Sequence, residues 1–282
     1  MNGQEPRLRR RDWRKTGTAI LEDPTFGRGV LVAGVVGGVF LALGLARGLG
    51  YIDPRLWNLL ELPISEGAVN TLRFSVTIIP IGAVIGFFMG WARVTRHPIL
   101  AWPASVYVDI VRGTPALVMI LFAFFWLPFV LKSRDPSAGL TYAVLALAVH
   151  TSAYQAEIFR AGFQSVPSGQ VDAAEAIGLN RWQAMRHVVL PQTFRVTLPA
   201  LGNEFAVIIK DTSLLAAIGA LELVYWGRES AQYALSIGSI GWVISVWLVI
   251  ALFYFVITYV ITNMVGAVEH AFRVPGLGSV AF

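Results

Sequence analysis

Long apolar stretches constrain this chain more than any other feature of its sequence. A helix needs about 20 apolar residues to cross the hydrocarbon core of a bilayer, and several stretches reach that length. Of the 282 residues, 56% are hydrophobic and 14% are charged, whereas soluble domains carry roughly 25% charged residues. The stretches are also far longer than the alternating ten-residue segments of a membrane barrel. The sequence therefore predicts an all-α integral membrane protein.

We expect six transmembrane helices, which cover residues 30–49, 71–91, 99–131, 140–161, 198–223 and 240–268. The third stretch is too long for one span and contains Gly113, Thr114 and Pro115, a combination that breaks helices. We therefore expect a shorter leading helix, a kink and a span over 116–131. Gly82, Gly86 and Gly90 recur at every fourth position of the second span, which predicts close packing of that face against another helix.

The positive charges indicate how the chain is oriented. The net charge is +5, and the basic residues are concentrated in the tail of residues 1–29, in the 92–98 loop and in the 162–197 segment. With six spans these regions share one side, which the positive-inside rule makes cytoplasmic. We therefore expect a multi-pass protein of the cytoplasmic membrane with both termini inside. The tail is interpreted as an orientation signal beside membrane lipid, with no nucleic acid as partner.

Several kinds of chemistry are excluded by what the sequence lacks. There is no cysteine, so disulfides and thiolate sites cannot form. The histidines are scattered and do not follow a zinc-binding spacing, and no glycine-rich phosphate-binding loop precedes a lysine. We therefore predict no catalytic residue and no metal site in this chain.

The 162–197 segment is too polar to span a membrane but has ordered helix signals. Pro167 ends the preceding helix, and Ser168 is expected to cap a short helix that runs to residue 177. Gly178 suits the left-handed turn after that helix. Asn180 and Gln183 predict a capping box for a second short helix, which Leu190-Pro191 is expected to stop.

The same segment resembles a known motif. Asp172-Ala173-Ala174, then Gly178, then Leu190-Pro191 is similar to the EAA loop of ABC importer permeases, with Asp172 in place of the usual glutamate. Four further runs resemble the polar amino acid branch of that family: residues 112–115, 156–160, 198–204 and 210–214. The resemblance covers roughly residues 67 to 270.

The resemblance implies the transmembrane domain of a type I ABC importer, here with an extra N-terminal helix. The chain would be the permease subunit of an ATP-driven importer of polar amino acids. Its parts would be a tail (1–29), a first helix with an external loop (30–66), a permease core (67–270) that contains the coupling segment (162–197), and a C-terminal tail (271–282). The implied coupling residues are Asp172, Ala173, Ala174, Gly178, Leu190 and Pro191.

The resemblance also implies the partners. ATPase subunits would use ATP and magnesium, so this chain itself needs no cofactor and is not an enzyme. A second permease subunit, identical or related, would complete the path. An extracytoplasmic solute-binding protein would dock on external loops such as 132–139 and 224–239.

Polar residues at membrane depth are candidates for the substrate path, because each buried charge costs about 2.5 to 3.5 kcal/mol on insertion scales. The predicted path residues are Glu204, Lys210, Asp211, Thr212, Ser213, His150 and Arg112. Lys210 and Asp211 could equally form a structural clamp between helices, although adjacent residues point about 100° apart and pair poorly. His150 could bind a carboxylate, respond to pH or satisfy a neighbouring carbonyl. Arg112 could face an anion at the kink or only accompany the bend.

Two other functions compete with the permease. An ion-coupled secondary transporter of small polar solutes would need no ATPase, and inverted repeats would favour it. A membrane-embedded enzyme would need a catalytic or metal-binding group.

Glu157 and Arg160, three residues apart, are expected to pair on one helix face rather than bind a ligand.

Overall fold

The computed structural model describes residues 54–272 except Arg96, together with isolated helical positions between 27 and 38. The basic tail, most of the first predicted span and almost all of the C-terminal tail lie outside the described residues. Within the described part of the chain the regular structure is helical and contains no strand. The prediction of an all-α architecture is confirmed there.

The α-helices in chain order are α1 (Pro54–Leu62), α2 (Ala68–Val94), α3 (Pro98–Gly113), α4 (Ala116–Val130), α5 (Ala138–Gln164), α6 (Ser168–Ala176), α7 (Arg181–Ala184), α8 (Leu190–Asp211), α9 (Leu223–Ser236) and α10 (Ile240–Phe272). A π-helical turn (Pro63–Gly67) joins α1 to α2, and another (Met185–Val189) joins α7 to α8. A 3₁₀-helix (Thr212–Ile218) continues directly from α8. The segment 224–239, expected to be an external loop, is mostly the helix α9, so the expected loop conformation was wrong. Its external position and docking role stay predictions.

Helix α5 is the central element, since buried side chains connect it to its neighbours at two levels. Ile78, Ile120, Leu147 and Ile208 are fully buried and join α2, α4, α5 and α8. Toward the other end of α5, a second apolar cluster connects α5 to the start and middle of α8. Its buried members are Phe159, Phe163, Val189 and Leu201. These two clusters pack α5 against α8, and they thereby set the relative positions of the polar residues on the two helices.

The glycines of α2 allow its backbone to touch α5. A Cβ atom added to Gly82 would lie 2.6 Å from Nε2 of Gln155, and one added to Gly90 would lie 2.6 Å from the carbonyl oxygen of Ala156. Such distances leave no room for a methyl group, so only glycine permits this approach. The prediction that the glycine face packs closely against another helix is confirmed.

Helices α3 and α4 meet at a bend of 98°. Thr114 and Pro115 both have extended backbone angles. The ring of Pro115 disfavours a helical conformation at Thr114, the residue before it. The predicted leading helix and kink are confirmed, and α4 begins at Ala116 and ends at Val130. That this helix spans the membrane stays a prediction.

The helix predicted to cover residues 198–223 has different ends. Helix α8 begins at Leu190 and contains Pro191 in its first turn. We expected Pro191 to stop a helix, but proline is tolerated in a first turn because the N–H group it lacks needs no partner there. At the other end the α-helix stops at Asp211, and Gly219, with φ of +79°, ends the 3₁₀-helix that follows. The chain then turns back into α9.

Two helices among the described residues are long and apolar enough to cross a membrane. They cover Trp57–Val94 and Ile240–Val268, and the bent pair of α3 and α4 makes a third if it is counted as one span. Helices α5 and α8 have 27 and 22 residues but carry many polar side chains. The count of six spans therefore stays a prediction.

Candidate functional site

The coupling segment has the local geometry that its sequence predicts. Gly178 has φ of +91° and ends α6, and its N–H donates to the carbonyl of Glu175 at 2.9 Å. The Asn180 side chain accepts from the Gln183 N–H at 2.9 Å, while the Gln183 side chain accepts from the Asn180 N–H at 2.9 Å. The glycine corner and the capping box are thus confirmed. Ser168 is the first residue of α6 rather than its cap, and Pro167 occupies the cap position.

The predicted coupling residues do not all point away from the chain. Asp172 and Ala173 are exposed, as is Pro191, and Leu190 is half-buried. Ala174 is buried within this chain, so it cannot itself contact a partner. Of the two alanines among the implied coupling residues, only Ala173 is therefore available at the surface.

Two large apolar side chains on this segment escaped the sequence reasoning. Ile177 is 81% exposed and Trp182 is 67% exposed, and they stand on either side of the Gly178 corner. Large exposed apolar side chains are common at protein–protein interfaces, which makes this corner a candidate contact surface. A sequence signal existed, because both interrupt an otherwise polar segment.

The segment is attached firmly to the helices around it. The side chains of Gln192 at the start of α8 and Gln170 in α6 are hydrogen-bonded at 2.5 Å. Gly162 of α5 lies against the methyl groups of Thr193 and Thr197 of α8. These contacts connect α6 to α8, and α8 to α5.

Three of the predicted path residues are charged side chains in the second half of α8. Glu204 and Asp211 are half-buried and Lys210 is exposed, and none of the three forms an ion pair or a side-chain hydrogen bond within the described residues. The expectation that Lys210 and Asp211 do not pair directly is confirmed. Thr212 is buried and donates to the carbonyl of Ile209 at 2.6 Å, and Ser213 is half-buried. We call Glu204, Lys210 and Asp211 the charged face of α8.

His150 and Arg112 belong to a different part of the structure. The buried His150 ring lies near the backbone of Thr114 at the α3–α4 bend, and its Nδ1 has no hydrogen-bond partner among the described residues. Which of the three roles considered for His150 applies stays a prediction. Arg112 lies over the ring of Tyr154, with 5.4 Å from its Cζ to the ring centroid, and pairs with Glu157 at 3.3 Å.

Glu157 is shared by three arginines. It accepts from Nε of Arg160 at 2.6 Å, which confirms the predicted pair, and from Nη1 of Arg93 at 2.5 Å. Arg112 completes the set, which we call the Glu157 cluster. Its members come from α2, α3 and α5, so sequence spacing could reveal only the Glu157–Arg160 pair. No ion pair among the described residues joins this cluster to the charged face of α8.

The chain matches a known family over most of its length. Residues 82–274 match the family described as the inner membrane component of binding-protein-dependent transport systems. The chain belongs to this family. The resemblance inferred from the EAA-like motif is confirmed. Since the family is the transport component of such systems, the prediction that the chain is not itself an enzyme also agrees with its membership.

Relatives and solved structures give the same result. The chain is 36% identical over 221 residues to the glutamine transport system permease protein GlnP of Escherichia coli K12, covering 78% of this chain and 96% of that protein. It is 31% identical to the L-cystine transport system permease protein TcyB of Bacillus subtilis, covering 81% and 93%. A crystal structure of an amino acid ABC transporter with histidines matches with 32% identity and a TM-score of 0.64, covering 77% of this chain and 98% of that one. The MetNI methionine ABC transporter matches with 21% identity and a TM-score of 0.58, covering 77% and 99%, which supports the shared fold. The predicted type I importer fold is confirmed.

The buried carboxyl group of Glu222, directly before α9, is not among the predicted site residues. Glu222 is fully buried and caps α9, accepting from the N–H groups of Val224 at 2.9 Å and Tyr225 at 2.6 Å. The hydroxyl of Tyr254 on α10 donates to it at 3.0 Å. Thr71 of α2 accepts from the N–H of Leu223 at 3.2 Å. Glu222 therefore fixes α9 against α10 next to the start of α2.

The loop between α4 and α5 carries a smaller structured feature. Asp135 accepts from the backbone N–H of Ser137 at 2.9 Å and from its hydroxyl at 2.8 Å. These hydrogen bonds favour the ionised carboxylate and lower the pKa of Asp135, with the backbone bond as the larger cause. The predicted docking loop 132–139 thus has an ordered turn.

Proposed function

We propose that this chain is the permease subunit of an ATP-driven importer of polar amino acids. Two relatives that the chain covers almost end to end carry names that specify glutamine and L-cystine transport. The proposal rests on two observations together. The chain belongs to this family, and its coupling segment consists of two short helices joined at a defined corner with exposed apolar side chains. An ion-coupled transporter has no need of such a segment.

The coupling segment is proposed to dock on an ATPase subunit, which uses ATP and magnesium in place of this chain. Its contact surface would consist of the exposed side chains around the corner: Asp172, Ala173, Ile177 and Trp182. Ala174 would support that surface from beneath. Gly178 would set its shape, and Leu190 and Pro191 would connect it to α8. Since α6 is tied to α8 through Gln170 and Gln192, closure of the ATPase subunits would move α8.

The charged face of α8 is proposed to line the substrate path. Charges at membrane depth cost about 2.5 to 3.5 kcal/mol each unless they meet a partner or water. Glu204, Lys210 and Asp211 find no ion-pair partner within the described residues, so a second permease subunit and a water-filled path would supply their environment. Thr212 and Ser213 would continue this path at the start of the 3₁₀-helix. Groups of both signs suit zwitterionic amino acids.

His150 and Arg112 take supporting roles in this proposal. Both lie beside the α3–α4 bend, since Arg112 is in the last turn of α3 and His150 is near the backbone of Thr114. They would hold the bend in place, and α4 begins directly after it. The permease core would cover 67–270, with both termini cytoplasmic and a solute-binding protein docking on the opposite side, near the Asp135 loop.

Reconstitution of the chain with its ATPase subunits and binding protein tests the proposal. We expect ATP-dependent uptake of polar amino acids, and ATPase stimulation by the binding protein that depends on the amino acid across a panel. Uptake that continues without the ATPase subunits and follows an ion gradient would establish the secondary transporter instead.

Replacing Glu204 with glutamine tests the path separately. The variant is expected to assemble normally but to lose most uptake, because the carboxylate is removed while the side-chain volume is kept. Glu229→Gln is the matched control, since Glu229 is a partly exposed glutamate of α9 outside the proposed path. Equal uptake by the two variants would remove Glu204 from the path.

A further inference from the structure

The Glu157 cluster carries more positive charge than the described residues neutralise. Three guanidinium groups, those of Arg93, Arg112 and Arg160, share the single carboxylate of Glu157. Two positive charges are left over. Asp109 lies one turn before Arg112 on α3, but among the described residues Arg112 pairs with Glu157 and not with Asp109.

Many N–H donors of the cluster are also unused. A guanidinium group has five N–H donors. Arg93 uses Nε toward Ser105 at 3.3 Å and Nη1 toward Glu157. Arg160 uses Nε toward Glu157 and Nη1 toward Gln164 at 2.7 Å. Arg112 uses only Nη1 among the described residues, and its side chain is 44% exposed. The cluster thus presents free donors together with free charge at its surface.

The cluster lies near the end of the helix bundle that carries the coupling segment. Arg93 is in the last turn of α2, and Arg160 lies four residues before the end of α5, which is about 6 Å along the helix axis. The polar headgroup layer on each side of a bilayer is roughly 5 to 8 Å thick. With α2 and α5 ending at the membrane surface, as the proposed function has it, the arginines would lie within reach of the lipid headgroups of that leaflet.

We propose that the Glu157 cluster binds the phosphate of an anionic phospholipid in the leaflet on the side of the coupling segment. A phosphate oxygen accepts well from paired guanidinium N–H groups, and basic pockets between membrane helices suit such headgroups. Arg112 and Arg160 make the contact, since they are the more exposed arginines. Arg93, which is the most buried, holds Glu157 in position. The lipid would neutralise charge at the junction of α2, α3 and α5.

The test measures binding of phosphatidylglycerol and phosphatidylcholine to the purified full chain by native mass spectrometry. We expect phosphatidylglycerol to bind more tightly to the wild type. Arg112→Gln is expected to weaken that binding about fivefold, the effect of removing one arginine near an anionic surface. Glu157→Gln is expected to strengthen it, because the cluster then has three free charges. A folding defect would weaken binding in both variants, so the opposite signs separate charge from damage.

Arg228→Gln is the matched control. Arg228 is 46% exposed, lies over the ring of Tyr225 at 5.5 Å and pairs with a glutamate, as Arg112 does. We expect this variant to bind phosphatidylglycerol as the wild type does. Equal binding by the Arg112 and Arg228 variants would overturn the proposal, as would weaker binding by Glu157→Gln. Inorganic phosphate is added in a separate arm, and binding as tight as that of the lipid would assign the site to a free anion instead.

Discussion

Replacing Gly178 with alanine isolates the backbone conformation of the coupling corner from every side-chain contact. Gly178 has φ of +91°, and an added Cβ atom would meet nothing within 4 Å. The substitution therefore causes no clash within the chain and introduces only the strain of a left-handed conformation, about 1 to 2 kcal/mol for a residue other than glycine. Two short helices are marginal on their own, so little local stability is available to absorb this strain.

A penalty of about 1 to 2 kcal/mol corresponds to roughly a five- to thirty-fold fall in the ratio of native to non-native corner conformations. We expect Gly178→Ala to lower ATP-driven uptake in proteoliposomes by up to that factor, measured per assembled complex. Gly178→Asn should retain more activity, because asparagine tolerates positive φ better than alanine.

Gly169→Ala is the matched control in the same segment. Gly169 lies in α6, an added Cβ atom would also meet nothing within 4 Å, and its φ is not in the left-handed range. This variant should transport normally. If Gly178→Ala and Gly169→Ala give the same uptake at equal assembly, the left-handed corner does not matter for coupling and the reasoning fails.

Three further predictions concern the frame around the site. Gly86→Ala should lower the free energy of unfolding by about 1 to 3 kcal/mol, because its Cβ atom would lie 2.8 Å from a carbonyl oxygen of α5. The control is Gly241→Ala, whose Cβ atom would meet nothing within 4 Å and which should leave the thermal unfolding temperature unchanged. Glu222→Gln should destabilise the chain by about 0.5 to 2 kcal/mol, because an amide nitrogen replaces one of the two oxygens that accept hydrogen bonds at the start of α9. A melting temperature equal to that of Glu229→Gln would contradict this role. The lowered pKa of Asp135 means that its hydrogen bonds stabilise the loop above the usual carboxyl pKa of about 4 and are lost as pH falls through the lowered value. The NMR shift of the amide two residues later should report that step, and Asp135→Asn should abolish it.

Local rules predicted the parts of the molecule that neighbouring residues determine. Gly178 with the Asn180–Gln183 box, and the break at Thr114-Pro115, depend on backbone preferences within a few positions. The Glu157–Arg160 pair depends on helix spacing alone. Pro191 shows the limit of such rules, because the same residue suits the first turn of a helix as well as its end, and the sequence does not say on which side the helix lies.

Contacts between distant segments could not be predicted in this way. Arg93 reaches Glu157 across 64 positions of sequence, and Tyr254 reaches Glu222 across 32. Whether Ala174 faces a partner or its own chain depends on how α6 is seated, which no spacing reveals. The charged face of α8 could be located by helical periodicity, but its lack of an ion pair within the described residues is a property of the packed structure.

The glycine contact between α2 and α5 has a mechanical consequence. Where two helices touch through their backbones, neither can slide or rotate against the other without a collision, since no flexible side chain lies between them to rearrange. The pair must then move as one lever during a transport cycle. The conformational change that alternating access requires would then have to come from other elements of the chain.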